Sequence, residues 1–178
     1  NLVRINLRNN HITSIKSGSF IRLINLETLS LGNNYIQELD LNMFIGLEKL
    51  EKLSITDIKL RIIHANTFEN LPNLNYLSIN ENFISVIEPF AFAQQISLDN
   101  LLLNNNRIVK ITPNMFKGLE FLFEFDISCN MINSIDNGAF DDFKILSKLN
   151  LSGNQLESLS TDLFTKLSNL KQLDMSFN

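Results

Sequence analysis

The stretch 98–119, LDNLLLNNNRIVKITPNMFKGL, contains the pattern that decides the fold of this chain of 178 residues. Its leucines, isoleucines, asparagine and phenylalanine return in the same order every 24 residues, from Leu2 to Leu170, without a shift of the frame. A last, partial copy runs to Asn178. Repetition at a fixed period of this length is typical of solenoids, in which each copy is one structural unit stacked on the next.

Each copy reads as a short strand followed by a return arm. The L-x-L segment, Leu101 to Leu103 in the quoted copy, alternates between inward and outward side chains as a strand does. Eight such segments, from Ile5–Leu7 to Leu173–Met175, are predicted to pair in parallel into one curved sheet, with strands about 4.8 Å apart. No stretch sustains an apolar period of about 3.6 residues, so we expect little α-helix and mostly irregular return arms with short 3₁₀ pieces.

Two columns of identical residues run through the copies, and both are predicted to be buried scaffold. The asparagine side chain has donors and an acceptor for backbone groups that a turn leaves unpaired. The phenylalanines are expected to stack along the convex side as a second core seam. The asparagine column is Asn10, Asn34, Asn82, Asn106, Asn130, Asn154 and Asn178. The phenylalanine column is Phe20, Phe44, Phe68, Phe92, Phe116, Phe140 and Phe164.

These residues resemble the leucine-rich repeat family, and the 24-residue unit is similar to the typical class of animal extracellular proteins, which includes Toll-like receptors, insect immune proteins and neuronal adhesion proteins. The resemblance implies an α/β solenoid, a curved right-handed coil with a concave parallel sheet. We expect one domain, 1–178, of seven full repeats and a partial eighth. Extracellular relatives carry terminal caps that this sequence lacks, so the resemblance also implies a piece of a larger ectodomain, secreted or attached to a membrane.

Two copies depart from the pattern. Ile58 stands in the asparagine column, so nearby backbone groups are expected to turn to water or Asp57. Either this is tolerated drift, or the backbone is locally irregular around 56–60 and re-aims the surface there. Gln95 replaces the usual leucine of its copy, and Ile96 is expected to fill the vacated place.

Composition and motifs point away from catalysis, cofactors and nucleic acid. Lys and Arg number 15 against 19 acidic residues, and the basic residues do not line one face. His11 and His64 lie in different columns, and no metal-binding, phosphate-binding or dinucleotide-binding motif occurs. We therefore predict no enzyme, no cofactor, no metal and no nucleic-acid partner. No apolar run approaches the roughly 20 residues that span a bilayer, so no membrane insertion of this segment is expected.

The concave face is the first candidate binding surface, because side chains flanking the buried strand leucines point outward. Its first end is basic, its centre holds a tyrosine and a leucine, and its later end is acidic. The alternative is that small polar residues merely keep an open sheet soluble. The predicted ligand-binding residues are Arg4, Arg8, Lys52, Tyr76, Asn80, Asn100, Leu102, Asn104, Glu124 and Asp126.

Other surface residues provide smaller signals. Tyr35, Phe83 and Arg107, each following the asparagine column, are a candidate lateral interface for a partner or for self-association. Phe121 and Phe123, which flank Leu122, are either a third surface patch or part of the convex packing, and convex packing is the favoured assignment.

Asn150-Leu151-Ser152 is the only N-x-S/T sequon, so Asn150 is a candidate glycosylation site. Cys129 is the only cysteine and forms no internal disulfide. The simpler interpretation of Cys129 is a small, half-buried residue beside the asparagine column, and the alternatives are a reactive thiol or an intermolecular disulfide.

The function that these observations favour is extracellular protein–protein recognition through the concave face, as a receptor or soluble factor in innate immunity. The alternative is a structural or cell-adhesion solenoid with homophilic or lateral contacts. Both interpretations rest on the family resemblance and on the absence of any catalytic arrangement in the sequence.

Overall fold

The computed structural model describes all residues, 1–178, as twelve short strands joined by turns, with no helix. Nothing in the chain forms the long apolar helix that crosses a bilayer. Numbered in chain order, the strands are β1 Arg4–Asn6, β2 Thr28–Ser30, β3 Lys52–Ser54, β4 Ile62–Ile63, β5 Tyr76–Ser78, β6 Val86–Ile87, β7 Asn100–Leu102, β8 Lys110–Ile111, β9 Glu124–Asp126, β10 Ser134–Ile135, β11 Lys148–Asn150 and β12 Gln172–Asp174.

Eight of these strands form one parallel sheet, in the order β1-β2-β3-β5-β7-β9-β11-β12. Every pair is in register with a shift of one copy, so that Leu53 lies opposite Leu77 and Leu77 opposite Leu101. The central residue of each inner strand is buried, whereas most of its flanking residues are not. The sheet confirms the predicted solenoid with a parallel sheet and little helix.

The return arms consist of turns, in which an N–H donates to the carbonyl three residues earlier. Ile21 N, for example, lies 3.1 Å from Gly18 O, and Leu23 N lies 2.8 Å from Phe20 O. These bonds remain isolated turns rather than the short 3₁₀ pieces that were expected. Two additional two-stranded parallel sheets, β4 with β6 and β8 with β10, were not predicted. They arise because the main sheet already aligns neighbouring copies. The short segments that follow the asparagine column, such as Ile84–Ile87 and Ile108–Ile111, therefore lie side by side.

The core is one continuous cluster of 44 buried residues between the sheet and the return arms. The predicted phenylalanine seam is confirmed from Phe44 to Phe116: the ring centroids of Phe44 and Phe68 are 6.2 Å apart, and those of Phe68 and Phe92 are 5.7 Å apart. Beyond Phe116 the seam changes direction. The Phe116 ring contacts Phe125 and Phe143, because phenylalanine replaces leucine at those two positions.

The asparagine column is a buried ladder of hydrogen bonds, as predicted. Asn106 is typical: its Oδ1 accepts the Ile84 N–H at 3.0 Å, and its Nδ2 donates to the carbonyls of Ile79 and Leu103. Each amide from Asn34 onward connects its own copy to the preceding one, whereas Asn10 and Asn178, at the two ends of the column, are exposed. The ladder satisfies backbone groups that a turn inside a core would otherwise leave unpaired.

The gap in this ladder at Ile58 is filled only in part. In the other copies the asparagine Oδ1 accepts an N–H from the preceding copy, as Asn34 does from Ile12, but the Ile36 N–H has no such acceptor. The Asn82 Oδ1 accepts the N–H groups of both Ile58, at 3.0 Å, and Leu60, at 3.1 Å. The Ile58 N–H therefore does not turn to water or Asp57 as expected, whereas a water partner for the Ile36 N–H stays a prediction. The expected irregularity around 56–60 is confirmed, because Lys59 adopts φ 68° in addition to the positive φ that Asp57 shares with its counterparts.

The second departure also differs from expectation. Gln95 itself is buried in the leucine position, with 1% of its surface exposed, and its Nε2 donates to the Phe68 carbonyl at 2.7 Å. Ile96 is 62% exposed, so it does not fill the place as predicted. Glutamine is tolerated in the core because the carbonyl of the preceding copy satisfies its amide.

Candidate functional site

The concave sheet brings the central predicted residues together. Tyr76, Asn100 and Glu124 lie opposite one another on β5, β7 and β9. Leu102 and Asp126 form a second row two residues along the same strands. Adjacent parallel strands are about 4.8 Å apart, so these five side chains occupy one compact patch.

Exposure of the predicted concave residues differs between the two ends of the sheet. Arg4, Arg8 and Lys52 are exposed. The Arg8 guanidinium lies beside Gly32, with its Nε 3.5 Å from the place where a Cβ would stand. The remaining predicted residues are half-buried, because neighbouring side chains on the sheet cover one another. They are Tyr76, Asn80, Asn100, Leu102, Asn104, Glu124 and Asp126.

The acidic end of the face is partly neutralised and partly held in place. Lys148 Nζ lies 3.4 Å from Glu124 Oε2. Asp126 accepts the Ser128 N–H at 3.0 Å and its hydroxyl at 2.6 Å. Asp174 accepts equivalent bonds from Ser176, and these bonds lower the pKa of the Asp174 carboxyl. The free negative charge is therefore concentrated at the two aspartates, opposite the basic first end.

A network of hydroxyl groups beside the central patch was not evident from the sequence. Thr56 Oγ1 donates to Asn80 Oδ1 at 3.1 Å and lies 3.2 Å from Ser78 Oγ, which also donates to Asn80 Oδ1. The Asn80 amide donates to Glu81 at 3.0 Å. Asn80, predicted as a ligand-binding residue, therefore also links two neighbouring strands. Small hydroxyl residues on the open side of adjacent strands are the only signal for this network.

The later end of the concave face contains a depression of about 510 Å³, formed by β9, β11 and β12. Glu124, Asp126 and Asn150 are among its lining residues. The Asn150 Oδ1 accepts the N–H and the hydroxyl of Ser152. A glycan on Asn150 would cover this depression, and its presence stays a prediction. No group of three or more His, Cys, Asp or Glu side chains is placed to hold a metal ion.

A continuous row on the lateral side brings the predicted Tyr35, Phe83 and Arg107 together with their neighbours. Tyr35 stacks on His11 at 5.8 Å, and Lys59 Nζ lies 5.1 Å from the Tyr35 ring centre. Arg107 Cζ lies 4.2 Å from the centre of the Phe83 ring. We call this row the lateral ridge, and its members are His11, Tyr35, Lys59, Phe83, Arg107, Met131 and Gln155.

Three residues that were expected to be packed are exposed. Phe121 is 58% exposed and Phe123 39%, because they flank the buried Leu122 and point away from it. Their assignment to convex packing was wrong. Cys129 is exposed rather than half-buried, since it occupies the left-handed turn position after β9 with φ 52°.

A contact between neighbouring copies on the convex side depends on ionisation. Glu88 accepts the Ala65 N–H at 2.8 Å and lies 3.2 Å from His64 Nδ1. The backbone hydrogen bond from Ala65, followed by the His64 contact, lowers the pKa of Glu88 below its ordinary 4.5. Because the folded-state pKa is lower than that of the unfolded chain, ionised Glu88 stabilises the fold above pH 4.5.

We expect this stabilisation to be lost as the pH falls below 4.5 towards the lowered pKa. Urea unfolding of the parent and of Glu88→Gln across this range measures the effect. The variant should lose less stability on acidification than the parent. Glu157→Gln, at an exposed position, is the matched control and should follow the parent. Identical pH dependence of the parent and Glu88→Gln would contradict the assignment.

Comparison with known families agrees with the repeat geometry. Leucine-rich repeat models match residues 1–60, 48–95 and 96–156, and a further repeat model matches residues 146–167. The chain belongs to the leucine-rich repeat family. No curated protein matches it in sequence.

Solved structures of other leucine-rich repeat proteins resemble the chain. The structure of a TLR13–ssRNA13 complex matches with a TM-score of 0.90 and 31% identity, covering 93% of this chain and 24% of that one. The Toll–Spatzle complex from Drosophila matches with a TM-score of 0.79 and 19% identity, covering 99% and 27%. Internalin C2 of Listeria monocytogenes matches with a TM-score of 0.77 and 22% identity, covering 98% and 71%. The last two likenesses show the fold alone.

The chain spans only about a quarter of the first two structures. The TLR13 structure contains single-stranded RNA, so the prediction that nucleic acid is not a partner receives no support from this likeness. Leucine-rich repeats are a binding scaffold whose partners are determined by surface residues.

Proposed function

We propose that this chain recognises another protein through its concave sheet, with the centre of the site at Tyr76 and Leu102. The observation that supports this most directly is the register of β5 and β7, which places an aromatic and an apolar side chain on adjacent strands of an otherwise polar face. Both side chains are half-buried and therefore partly fixed before binding. Tyrosine is among the residues most often found at interface hot spots.

Charged residues around this centre orient the partner protein as it binds. Asp126 is held by the Ser128 N–H and hydroxyl, so its carboxylate is positioned before a ligand arrives. Arg4, Arg8 and Lys52 form no ion pair and remain free to attract an acidic region of the partner. Complementary charge of this kind mainly sets the rate and the orientation of association.

The place of action that we propose is extracellular, with a role in innate immunity as a receptor segment or a soluble factor. The likeness to TLR13, at 31% identity over 93% of this chain, supports this proposal. An adhesion solenoid that uses homophilic contacts is the alternative, and self-association would favour it. Single-stranded RNA is a second candidate ligand, because it is bound in the TLR13 structure.

The test is affinity capture from extracellular fluid and cell-surface extract, followed by titration of each captured protein. Tyr76→Ala and Leu102→Ala should each weaken binding by about 1–2 kcal/mol, which is roughly 5- to 30-fold in Kd. Asp126→Ala should mainly slow association, because it removes a steering charge. Thermal unfolding checks that each variant remains folded.

Ile96→Ala is the matched control, since Ile96 is apolar and exposed outside the concave sheet. It should bind as the parent does. Equal binding by the parent, Tyr76→Ala and Leu102→Ala would move the site away from this patch. Loss of capture after ribonuclease treatment would favour the RNA candidate, and capture of the chain by itself would favour the adhesion alternative.

A further inference from the structure

The lateral ridge belongs to a wider apolar surface on the side of the solenoid that follows the asparagine column. Ile62 and Val86 lie opposite each other in the β4–β6 sheet, and both are exposed. Val109 is exposed on the next copy. We call the ridge and these three residues together the lateral face. Its exposed apolar residues are Tyr35, Ile62, Phe83, Val86, Val109 and Met131.

Three cations are distributed among these apolar side chains without an acidic partner. Lys59 and Arg107 lie over the Tyr35 and Phe83 rings, and Arg61, directly before β4, is exposed. None of the three forms an ion pair. The rings hold Lys59 and Arg107 in place, so less side-chain freedom is lost when a ligand binds them.

The ridge position itself contains no acidic residue in any of seven copies. The acidic Asp57 and Glu81 precede the asparagine column, at the edge of the concave face. Glu38 lies beside Arg61 and Ile62 without forming an ion pair, and it leaves the cations Lys59 and Arg107 on the ridge unopposed. The lateral face therefore combines free positive charge with exposed aromatic and aliphatic groups. Aromatic residues, methionine and arginine are also the residue types enriched in protein interfaces.

We propose that the lateral face docks a partner polypeptide that presents carboxylates beside apolar side chains. Carboxylates complement Lys59, Arg61 and Arg107, and apolar side chains cover Ile62 and Val86. This site is separate from the concave patch and does not depend on the function proposed for it.

Two other occupants fit the observations less well. A two-fold pair of identical lateral faces would bring the three cations of one copy against those of the other, which is unfavourable. Single-stranded nucleic acid would match the cations through its phosphates. It offers no counterpart to the aliphatic Ile62, Val86 and Val109, and one face of the Phe83 ring is already occupied by Arg107. A polypeptide alone satisfies both the charge and the apolar area.

The experiment selects a displayed library of short random peptides on the parent protein, with counter-selection on the double variant Lys59→Gln with Arg107→Gln. Glutamine keeps much of each side-chain stem and removes its charge. Enriched peptides should combine Asp or Glu with aromatic or aliphatic residues. Fluorescence anisotropy then measures the affinity of each enriched peptide for the protein. This affinity should be about tenfold or more weaker for the double variant than for the parent. Val86→Thr, which is nearly isosteric, should weaken it by a smaller factor.

Lys16→Gln with Arg22→Gln is the matched control, because it removes two exposed cations elsewhere on the chain. Its peptide affinity should equal that of the parent, as should that of Tyr76→Ala on the concave face. Four outcomes would overturn the proposal: no enrichment over the counter-selecting variant, enrichment of basic peptides, tighter binding of a single-stranded RNA oligonucleotide at the same residues, or self-association abolished by the double variant.

Discussion

Asn106→Ala is expected to lower the free energy of unfolding by about 2–4 kcal/mol. Asn106 is buried, and its Oδ1 is the acceptor for the Ile84 N–H. Alanine would leave that N–H without a partner inside the core, at a cost of about 1–3 kcal/mol, and would remove further hydrogen bonds worth about 1 kcal/mol each. The carbonyls of Ile79 and Leu103 would lose less, since each keeps a second donor from Asn82 or Asn130.

Urea unfolding measures the total loss, and native-state hydrogen exchange at the Ile84 amide measures its local part. The matched control is Asn10→Ala, in the same column at an exposed position. The Asn10 amide donates only to carbonyls of its own copy, so water can replace it and the loss should stay below about 1 kcal/mol. If Asn106→Ala and Asn10→Ala lowered the free energy of unfolding equally, buried hydrogen bonds would not be the source of the stability that the ladder provides.

The sequence was sufficient to predict the sheet, because the period fixes register without any further information. Since every copy has the same length, Leu53, Leu77 and Leu101 must fall opposite one another once their strands pair. The roles of the asparagine and phenylalanine columns followed from the same reasoning. A repeat protein is predictable in this way because each copy contacts mainly its neighbours.

The departures were harder to predict because their solutions lie in another copy. The Ile58 N–H is satisfied by Asn82, 24 residues later, and the Gln95 amide by the Phe68 carbonyl, 27 residues earlier. No local pattern in either segment indicates these partners. The left-handed conformation of Lys59 likewise has no signal in the local sequence.

The candidate surfaces were predictable in outline and not in detail. Alternation along a strand was enough to assign Tyr76 and Leu102 to the open face of the sheet. Pairing between side chains of adjacent copies, such as Lys148 with Glu124 or Arg107 over Phe83, depends on rotamers that the sequence does not specify. These pairings determine which charges remain free, and therefore where a partner is attracted.

Gly118→Ala is expected to lower the free energy of unfolding by about 2–5 kcal/mol. Gly118 has φ +95°, a conformation that costs an L-residue about 1–2 kcal/mol. A Cβ there would also stand 2.7 Å from the Ala93 carbonyl oxygen and 2.8 Å from its Cα, in the backbone of the preceding copy. Relieving that overlap requires the two return arms to separate, and overpacking of a tight site typically costs about 1–3 kcal/mol more. Thermal and urea unfolding give the measured loss.

Gly138→Ala separates the two contributions, because Gly138 has φ +80° but a Cβ there would meet nothing closer than Asp141 at 3.6 Å. It should therefore cost only the conformational part, about 1–2 kcal/mol. Gly46→Ala, where a Cβ would stand 2.6 Å from the Ile21 backbone, should resemble Gly118→Ala. If all three variants lost the same stability, the return arms would be loosely stacked and the backbone approach would contribute nothing. If Gly46→Ala and Gly118→Ala both lost more than Gly138→Ala, the spacing between copies would be limited by backbone contact at this glycine position.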